Sequence, residues 1–353
     1  MKTERKISLA ELIKKHKELG VSEQLDFEKF YLYSLIVHST AIEGSTVTEV
    51  EAQLLFDEGI TSNKRSMVEQ LMNLDLKEAY EFGREWIASH LDISVEWLCR
   101  LSGMVMRRTG SEYKAMGGDF SSAKGELRKL NVTAGVGGRS YMSYLKVPLK
   151  LSAFCDELNR KRRAVDPDDI CSVYEMSFWA HYELVTIHPW ADGNGRMSRL
   201  LMNLLQMEFG VLPSKVLVKE KSDYIQSLID SRENDDVEIF IDKMAGLHIS
   251  HLESDIAKYL EDLDAEIVDN SHLERIIVDK LGEISDKSFK RGFINNLITV
   301  ALYVKAHPHC SASEISSHVV KSASMVRNYI HTLIDMGLVR ADGANKNRTY
   351  QFV

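Results

Sequence analysis

The sequence predicts a mainly α-helical protein, and three observations support that fold class. Only five prolines interrupt the 353 residues. Up to position 264, most of the chain places apolar residues at the 3.6-residue spacing of helices that face a core. The composition, 44% hydrophobic and 27% charged, is ordinary for a globular protein, and the length suffices for two or three separate cores.

Helical spacing marks nine segments of the chain. We predict helices at 23–43, 47–57, 64–90, 94–107, 145–163, 167–186, 195–209, 222–231 and 235–264. Residues 125–142 depart from this pattern, because apolar residues alternate around Leu127, Leu130 and Val132 before a glycine-rich turn at 135–138. That alternation predicts a β-hairpin, or flap, within a helical domain.

The last part of the chain, residues 295–353, has a different charge balance, with six Lys or Arg residues against three Asp or Glu. Three short helical patterns at 298–307, 311–320 and 322–339 precede two strand-like pieces around a turn at 343–347. Three helices followed by a β-wing resemble a winged helix-turn-helix domain.

Two interpretations of this C-terminal module remain open. It could contact DNA through the helix from Ser324 to Asp335 and through the wing around Lys346 and Arg348. It could instead dock a protein or form a dimer. The positive charge is modest, and Arg327 is the only arginine or lysine between Ser324 and Asp335. Both observations favour docking or dimerisation over DNA binding.

The cysteines and the apolar runs indicate the compartment. Cys99, Cys155, Cys171 and Cys310 form no CxxC pair, as expected of unpaired thiols in a reducing environment. No run of 18 apolar residues predicts a membrane span, and the N-terminal residues lack the apolar core of a signal peptide. We therefore expect a cytoplasmic protein without membrane contact.

Residues 188–199 read HPWADGNGRMSR and place a histidine, an aspartate, two glycines and two arginines close together in the sequence. Pro189 ends the preceding helix, and the turn at 193–195 opens the next one. A glycine-rich turn at a helix N-terminus presents unpaired amides and the positive end of the helix dipole to an anion. Arg196 and Arg199 share a face there and suit a polyphosphate.

Two further residues of this stretch complete a predicted site for nucleotide transfer. Asp192 offers one hard oxygen ligand that could hold Mg²⁺ (or Mn²⁺) against phosphate oxygens. His188 is the expected general base, because histidine titrates near neutral pH.

The stretch resembles the Fic motif HPFx[D/E]GNGRxxR, with Trp190 in place of phenylalanine. The resemblance spans roughly residues 35–250. It implies a Fic helical core that transfers AMP from ATP to a Ser, Thr or Tyr hydroxyl of a protein and releases pyrophosphate. The nucleotide-binding residues it implies are Gly193, Asn194, Gly195, Arg196, Arg199, Tyr224 and Ser231.

The same resemblance covers the flap and the base pocket. The flap residues it implies are Gly125, Leu127, Arg128 and Val132, which match the pattern G-x-[YF]-R-x-x-x-V except at Leu127. The family's flap lies over the active site, where an exposed edge can align a target chain. Tyr224 is similar to the tyrosine of the family's adenine pocket, and Ser231 stands where the family often has asparagine.

Residues 38–46, HSTAIEGST, carry a second motif. Ser39 and Glu43 lie four apart on a predicted helix that Gly44 would cap. A carboxylate in the last helical turn opposes the helix dipole and gains from a cationic partner. Ser39-x-x-x-Glu43-Gly44 resembles the inhibitory motif of Fic proteins, which implies that Glu43 pairs with Arg199 and withholds it from the γ-phosphate of ATP.

The sequence thus predicts four parts: an N-terminal helical region with the inhibitory helix (1–95), a Fic catalytic domain (96–247), a helical linker (248–290) and a winged-helix domain (291–353). One alternative function is the reverse reaction, de-AMPylation, with Glu43 positioning a water. Another is a DNA-binding regulator whose Fic core only senses nucleotide. The expected partners are ATP, an unidentified protein substrate and a second copy of the chain.

Overall fold

The computed structural model describes residues 1–133, 140–166, 168–284, 289–319, 321–343 and 348–353. The chain forms two compact units, Met1–Ile256 and Ala257–Val353. The four-part division expected from the sequence remains a prediction. None of the helices in the described ranges is long and apolar enough to cross a bilayer.

The first unit is helical. Its helices are α1 (Thr3–Glu18), α2 (Phe27–Ile42), α3 (Glu49–Glu58), α4 (Met67–Ile87), α5 (Val95–Val105), α6 (Val147–Ala164), α7 (Ile170–Ile187), α8 (Asn194–Glu208) and α9 (Lys221–Asn234). A tenth helix, α10 (Val237–Ile284), begins in this unit and ends in the second. Each of the nine predicted helical segments coincides with one of α2 to α10, so the mainly α fold class is confirmed.

Helix α7 lies at the centre of the first unit, because its sequence is largely apolar and none of its residues is exposed. One face packs with α8 into a core that also takes side chains from α2, α4, α5 and α6. The opposite face packs into a second core with α1, α9 and the first half of α10. A helix that is hydrophobic all round must be buried, and this burial fixes the direction in which the end of α7 points.

Helix α1 was not among the predicted segments. Its sequence is rich in lysine, and within the helix only Leu9 and His16 are buried. The partly buried Leu12 and Ile13 also pack on the second core, so positions 9, 12, 13 and 16 have helical spacing and the sequence did carry a signal for α1. The helix is held by ion pairs as well, since Arg5 binds Asp242 and Lys6 binds Glu175.

The predicted hairpin at 125–142 is present only in part. Thr133 pairs with Ser140, and the Tyr141 amide donates to the Val132 carbonyl at 3.0 Å. The glycine-rich turn expected at 135–138 lies outside the described residues. Two short strands that the sequence did not reveal, β1 (Glu112–Tyr113) and β2 (Phe120–Ser121), pair antiparallel just before this segment.

In its described residues, the second unit contains the end of α10, three further helices and a three-stranded sheet. The helices are α11 (Arg291–Ala306), α12 (Ala312–Val319) and α13 (Ala323–Asp335), and the strands are β3 (Cys310–Ser311), β4 (Val339–Asp342) and β5 (Thr349–Phe352). The sheet is antiparallel in the order β3-β5-β4. Lys346 of the expected wing lies outside the described residues, and the winged-helix assignment remains a prediction.

Candidate active site

The loop between α7 and α8 carries the residues that the sequence singled out. His188 ends α7 in the left-handed conformation, with φ of 52°. Its Nδ1 lies 3.2 Å from the Val185 carbonyl oxygen. Because a carbonyl only accepts, Nδ1 carries the proton, and the lone pair of the neutral ring is on Nε2.

The pKa of His188 differs from the sequence expectation. Burial lowers it to about 4, and the nearby Arg128 and Arg232 act in the same direction. The expectation that this histidine titrates near neutral pH is therefore wrong, because the protein removes water from an imidazole placed near cations. At neutral pH the ring is unprotonated and able to accept a proton.

The loop is held by its own asparagine. Asn194 donates from Nδ2 to the Trp190 carbonyl at 2.8 Å and accepts from the Trp190 amide at 3.1 Å. Its side chain is therefore occupied with the loop backbone. The fully buried Trp190 ring donates in turn to the Gly125 carbonyl at 3.0 Å, which joins the loop to the start of the flap.

Trp190 replaces the phenylalanine of the motif, and its indole nitrogen gives the replacement a measurable role. Trp190→Phe leaves the buried Gly125 carbonyl without this donor and should lower the free energy of unfolding by about 1–3 kcal/mol. Trp97→Phe is a matched control, because the Trp97 nitrogen is buried without a hydrogen-bond partner in the described structure. Urea unfolding followed by circular dichroism compares them; equal loss in both variants would contradict the role.

The side chain of Arg128, a residue of the flap segment, is buried against backbone carbonyls. Its guanidinium donates to the carbonyls of His188 at 2.7 Å, Leu130 at 2.8 Å and Met142 at 2.6 Å, and its amide donates to the Pro189 carbonyl. The side chain is 1% exposed. These contacts tie both ends of the flap to the His188 loop, so Arg128 lies below the surface that a target could reach.

Of the other expected flap residues, Gly125 is fixed by close packing. It has φ of +70°, and a Cβ there would lie 1.8 Å from the Cys99 carbonyl oxygen. Leu127 packs half-buried against the main core, and the half-buried Val132 accepts the hydrogen bond from Tyr141. Gly125 and Leu127 therefore anchor the flap, while Val132 belongs to its paired part.

Two glycines shape the start of α8. Gly193 precedes the helix with φ of 79°, and a Cβ there would lie 2.7 Å from the sulfur of Met106. At Gly195 a Cβ would lie 2.6 Å from Oε1 of Glu43. The helix N-terminus can therefore approach its neighbours closely, with the amides of the first turn available to an anion.

Arg196, on the first turn of α8, is 3% exposed. Its Nη2 lies 3.0 Å from the Met106 sulfur and its Nη1 lies 3.5 Å from the Val105 carbonyl, which are both weak acceptor contacts. Its Nε has no hydrogen-bond partner within the described part of the chain. A buried guanidinium with an unused donor is suited to receive an anionic ligand.

Arg199, one turn further along α8, is bound by the end of α2. It donates to the Ser39 hydroxyl and carbonyl, both at 2.9 Å, and to Oε1 of Glu43 at 2.6 Å. Burial raises the pKa of Glu43, but the adjacent Arg199 more than offsets this, so the pKa lies below its ordinary value. The carboxylate is ionised, and the structure brings together the pair that the resemblance implied.

The end of α2 is held in place by its surroundings. The helix ends at Ile42, Glu43 caps it, and Gly44 follows with φ of +103°, a conformation that favours glycine. The buried Thr40 hydroxyl donates to Asn73 on α4, and Asn73 donates to the Ser45 hydroxyl. Glu43 is therefore positioned by buried hydrogen bonds on both sides of it.

Asp192 is the exposed acid of the loop. Its Oδ1 accepts from the Gly193 amide at 2.6 Å, and no described residue bonds to its second oxygen. No group of three or more His, Cys, Asp or Glu side chains suited to a metal occurs among the described residues. A single carboxylate fits Mg²⁺, which keeps several waters and binds largely through substrate phosphates.

Tyr224 and Ser231 lie on α9. Tyr224 is 2% exposed, and its hydroxyl is 2.9 Å from Nε2 of His181. Ser231 is fully buried, and its hydroxyl has no hydrogen-bond partner among the described residues. Contact of these two side chains with adenine remains a prediction.

His181 and the buried His248 predict sensitivity to acid. Burial lowers the pKa of each to about 3. Above about pH 6.5 both are neutral whether the chain is folded or unfolded; below it, only the unfolded chain takes up protons. Stability should then fall by about 1.4 kcal/mol per pH unit for each histidine until about pH 3.

Thermal unfolding midpoints between about pH 7 and 5, where ordinary carboxylates stay ionised, check this expectation. The unfolding midpoint should fall as the pH is lowered, and His248→Gln should make the midpoint depend less steeply on pH. A wild-type midpoint that does not change over this interval would contradict it.

Sequence reasoning missed two residues at the site. The Tyr141 ring stacks on the His188 imidazole with a centroid separation of 3.8 Å and an interplanar angle of 19°. The Arg232 guanidinium lies 5.0 Å from the Tyr141 ring centroid. Neither residue belongs to a motif, so only the folded chain reveals them.

Comparison with known proteins finds relatives of the chain. Residues 92–206 match the Fic/DOC family model. The chain is similar to protein adenylyltransferases of Caenorhabditis briggsae, at 28% identity over 204 residues, and Drosophila persimilis, at 29% over 202. Each alignment covers 57% of this chain but only 36% of the relative's length.

Two solved structures share the fold. Fic-1 of Caenorhabditis elegans is 24% identical, with a TM-score of 0.55 over 72% of this chain and 71% of that one. A Fic family protein of Desulfovibrio desulfuricans is 17% identical, with a TM-score of 0.63 over 100% of this chain and 97% of that one. The helical core around α7 and α8 is thus a known architecture.

Proposed function

We propose that the protein transfers AMP from ATP to a Ser, Thr or Tyr hydroxyl of a target protein, releasing pyrophosphate, because residues 92–206 match the Fic/DOC family model and the chain is similar to protein adenylyltransferases. One observation carries the proposal. The neutral His188, with Nε2 free to accept a proton, adjoins a glycine turn and two buried arginines at the start of α8.

The residues have separable roles in this reaction. His188 takes the proton of the attacking hydroxyl. The amides of Asn194 and Gly195 and the Arg196 guanidinium bind phosphate oxygens and stabilise the charge that develops on them. The Gly193 amide is instead bonded to Asp192. Asp192 would hold Mg²⁺ or Mn²⁺, which when bound neutralises charge on the phosphates. Arg199, once released from Glu43, binds the γ-phosphate.

We further propose that the resting chain is restrained by Glu43. The carboxylate binds the guanidinium that would otherwise hold the γ-phosphate. ATP bound without that contact can present its α-phosphorus in a poor orientation for attack, and misorientation alone can cost orders of magnitude in rate. Autoinhibition therefore needs no blockage of the nucleotide site.

The reverse reaction is the first alternative. An ionised carboxylate close to the nucleotide-binding arginines could orient a water for removal of AMP from a modified protein. In that case Glu43 would be required for activity rather than opposed to it, so its replacement separates the two reactions.

A DNA-binding regulator is the second alternative, and one observation on α13 favours it. Ser324, Arg327, Asn328 and His331 are all exposed and lie on one helical face. Arginine and asparagine are the side chains that most often read guanine and adenine in the major groove. Such binding should weaken steeply with salt, in proportion to the phosphates contacted. A protein-docking or dimerisation module is the other proposal for this unit.

Incubation of the purified Glu43→Gly protein, in which Arg199 is released, with α-labelled ATP and Mg²⁺ tests the proposed function. Label that stays on the protein through a denaturing gel supports AMP transfer. Specific binding to a DNA duplex without any labelling would favour the regulator and contradict the transferase.

A further inference from the structure

The Tyr141 side chain occupies the face of the proposed base. Its ring lies nearly parallel to the His188 imidazole at a centroid separation of 3.8 Å, which is closer than most aromatic pairs. The backbone at this point is paired, since Ser140 bridges Thr133 and the Tyr141 amide donates to the Val132 carbonyl. The ring is thus held over the imidazole by the flap itself.

An acceptor of the proposed reaction must come close to the same imidazole. Its hydroxyl has to reach Nε2 of His188 before the proton can be transferred. The side chain that the resting protein keeps there is a tyrosine, which is one of the three hydroxyl residues that can accept AMP. A group held in the same molecule has an effective concentration far above that of a free target.

Arg232 offers a place for the transferred phosphate. Its guanidinium lies 5.0 Å from the centroid of the Tyr141 ring. Its Nε is buried and has no hydrogen-bond partner in the described parts of the chain. A phosphate attached to the Tyr141 oxygen would bring acceptor oxygens toward this unused donor, and arginine binds phosphate well.

We propose that Tyr141 is the chain's own AMP acceptor, an inference that rests on the proposed function. The phenol proton passes to Nε2 of His188 while the Tyr141 oxygen attacks the α-phosphorus of ATP. The new bond joins that oxygen to phosphorus. The bond between the α-phosphorus and the bridging oxygen breaks, and pyrophosphate leaves with its electron pair. The product is tyrosine-linked AMP within the flap.

Transfer requires the tyrosine ring to turn. In a nearly parallel stack the phenol oxygen lies in a plane above the face of the imidazole ring. The Nε2 lone pair, in contrast, lies within the plane of the imidazole ring. The ring must therefore slide off the imidazole face before its hydroxyl meets Nε2.

Release of Arg199 from Glu43 is needed as well, so modification should be detectable mainly in the Glu43→Gly protein.

Peptide mapping tests the inference. The full-length Glu43→Gly protein is incubated with ATP and Mg²⁺ and digested with trypsin, which cuts after Arg139 and Lys146. Fragmentation of the resulting peptide, residues 140–146, should locate AMP on Tyr141. The modification should be absent when His188→Ala is added.

Two phenylalanine variants in the same background provide the matched comparison. Tyr141→Phe keeps the ring but removes the oxygen, so AMP on this peptide should be lost. Tyr144→Phe makes the same change within the same peptide, and the described ring contacts place no Tyr144 ring on His188; its AMP should remain.

The outcomes separate this inference from the proposed function. AMP confined to other peptides, or undiminished on residues 140–146 after Tyr141→Phe, would overturn the inference while leaving AMP transfer intact. Absence of AMP from every peptide and from any added protein would contradict both.

Discussion

Replacement of His188 by alanine is expected to lower the rate of AMP transfer by about 10²-fold or more, the usual effect of losing a positioned base. The neutral ring, with Nδ1 bound to the Val185 carbonyl, is ready to accept a proton at Nε2. No described contact joins His188 to Arg199, so ATP affinity should change little. Rates from α-labelled ATP, with ATP binding measured by calorimetry, check both parts.

An exposed histidine on α13 supplies the control for this variant. His331→Ala removes the same side chain from an exposed position of the second unit and should transfer AMP at the wild-type rate. Transfer by His188→Ala at a rate near that of His331→Ala would remove His188 from the mechanism.

Replacement of Glu43 by glycine is expected to raise AMP transfer by on the order of 10²-fold, the effect of correcting a misplaced reacting group. The physical reason is the release of Arg199, which the carboxylate holds at 2.6 Å. Adding Arg199→Ala to Glu43→Gly should suppress the gain, because the released guanidinium is what the nucleotide needs. Initial rates at matched ATP and Mg²⁺ measure these changes.

Glu58→Gly is a close control for the Glu43 variant. Glu58 also lies at the end of a helix and precedes a glycine, but it is exposed and has no described contact with Arg199. It should leave the rate unchanged. A Glu43→Gly protein no faster than Glu58→Gly would refute the restraint, and loss of an ability to remove AMP from a modified protein would support the reverse reaction.

The sequence revealed the features that depend on neighbours along the chain. Helical spacing located α2 to α10, because an amphipathic helix repeats its apolar positions locally. The loop at 188–199 could be predicted to bind an anion, because glycines and arginines at a helix start act on the backbone amides next to them. The pairing of Glu43 with Arg199 came from family resemblance, since the two residues are 156 positions apart.

Other features depend on packing between distant segments, and spacing carries no signal for them. Tyr141 belongs to the flap segment, 47 positions before His188, and the two rings meet only in the folded chain. Arg128 matched a flap pattern, yet its guanidinium donates all its described hydrogen bonds to three backbone carbonyls. The low pKa of His188 follows from burial, which residue type alone does not reveal.

The central claim is that the domain around residues 92–206 moves the AMP portion of ATP onto protein. The most direct measurement incubates the Glu43→Gly protein in parallel with ATP labelled at the α-phosphate and ATP labelled at the γ-phosphate. Our account predicts covalent label from the α-phosphate alone, with the γ-label recovered in pyrophosphate. Label from the γ-phosphate on protein, or no label from either, would contradict it.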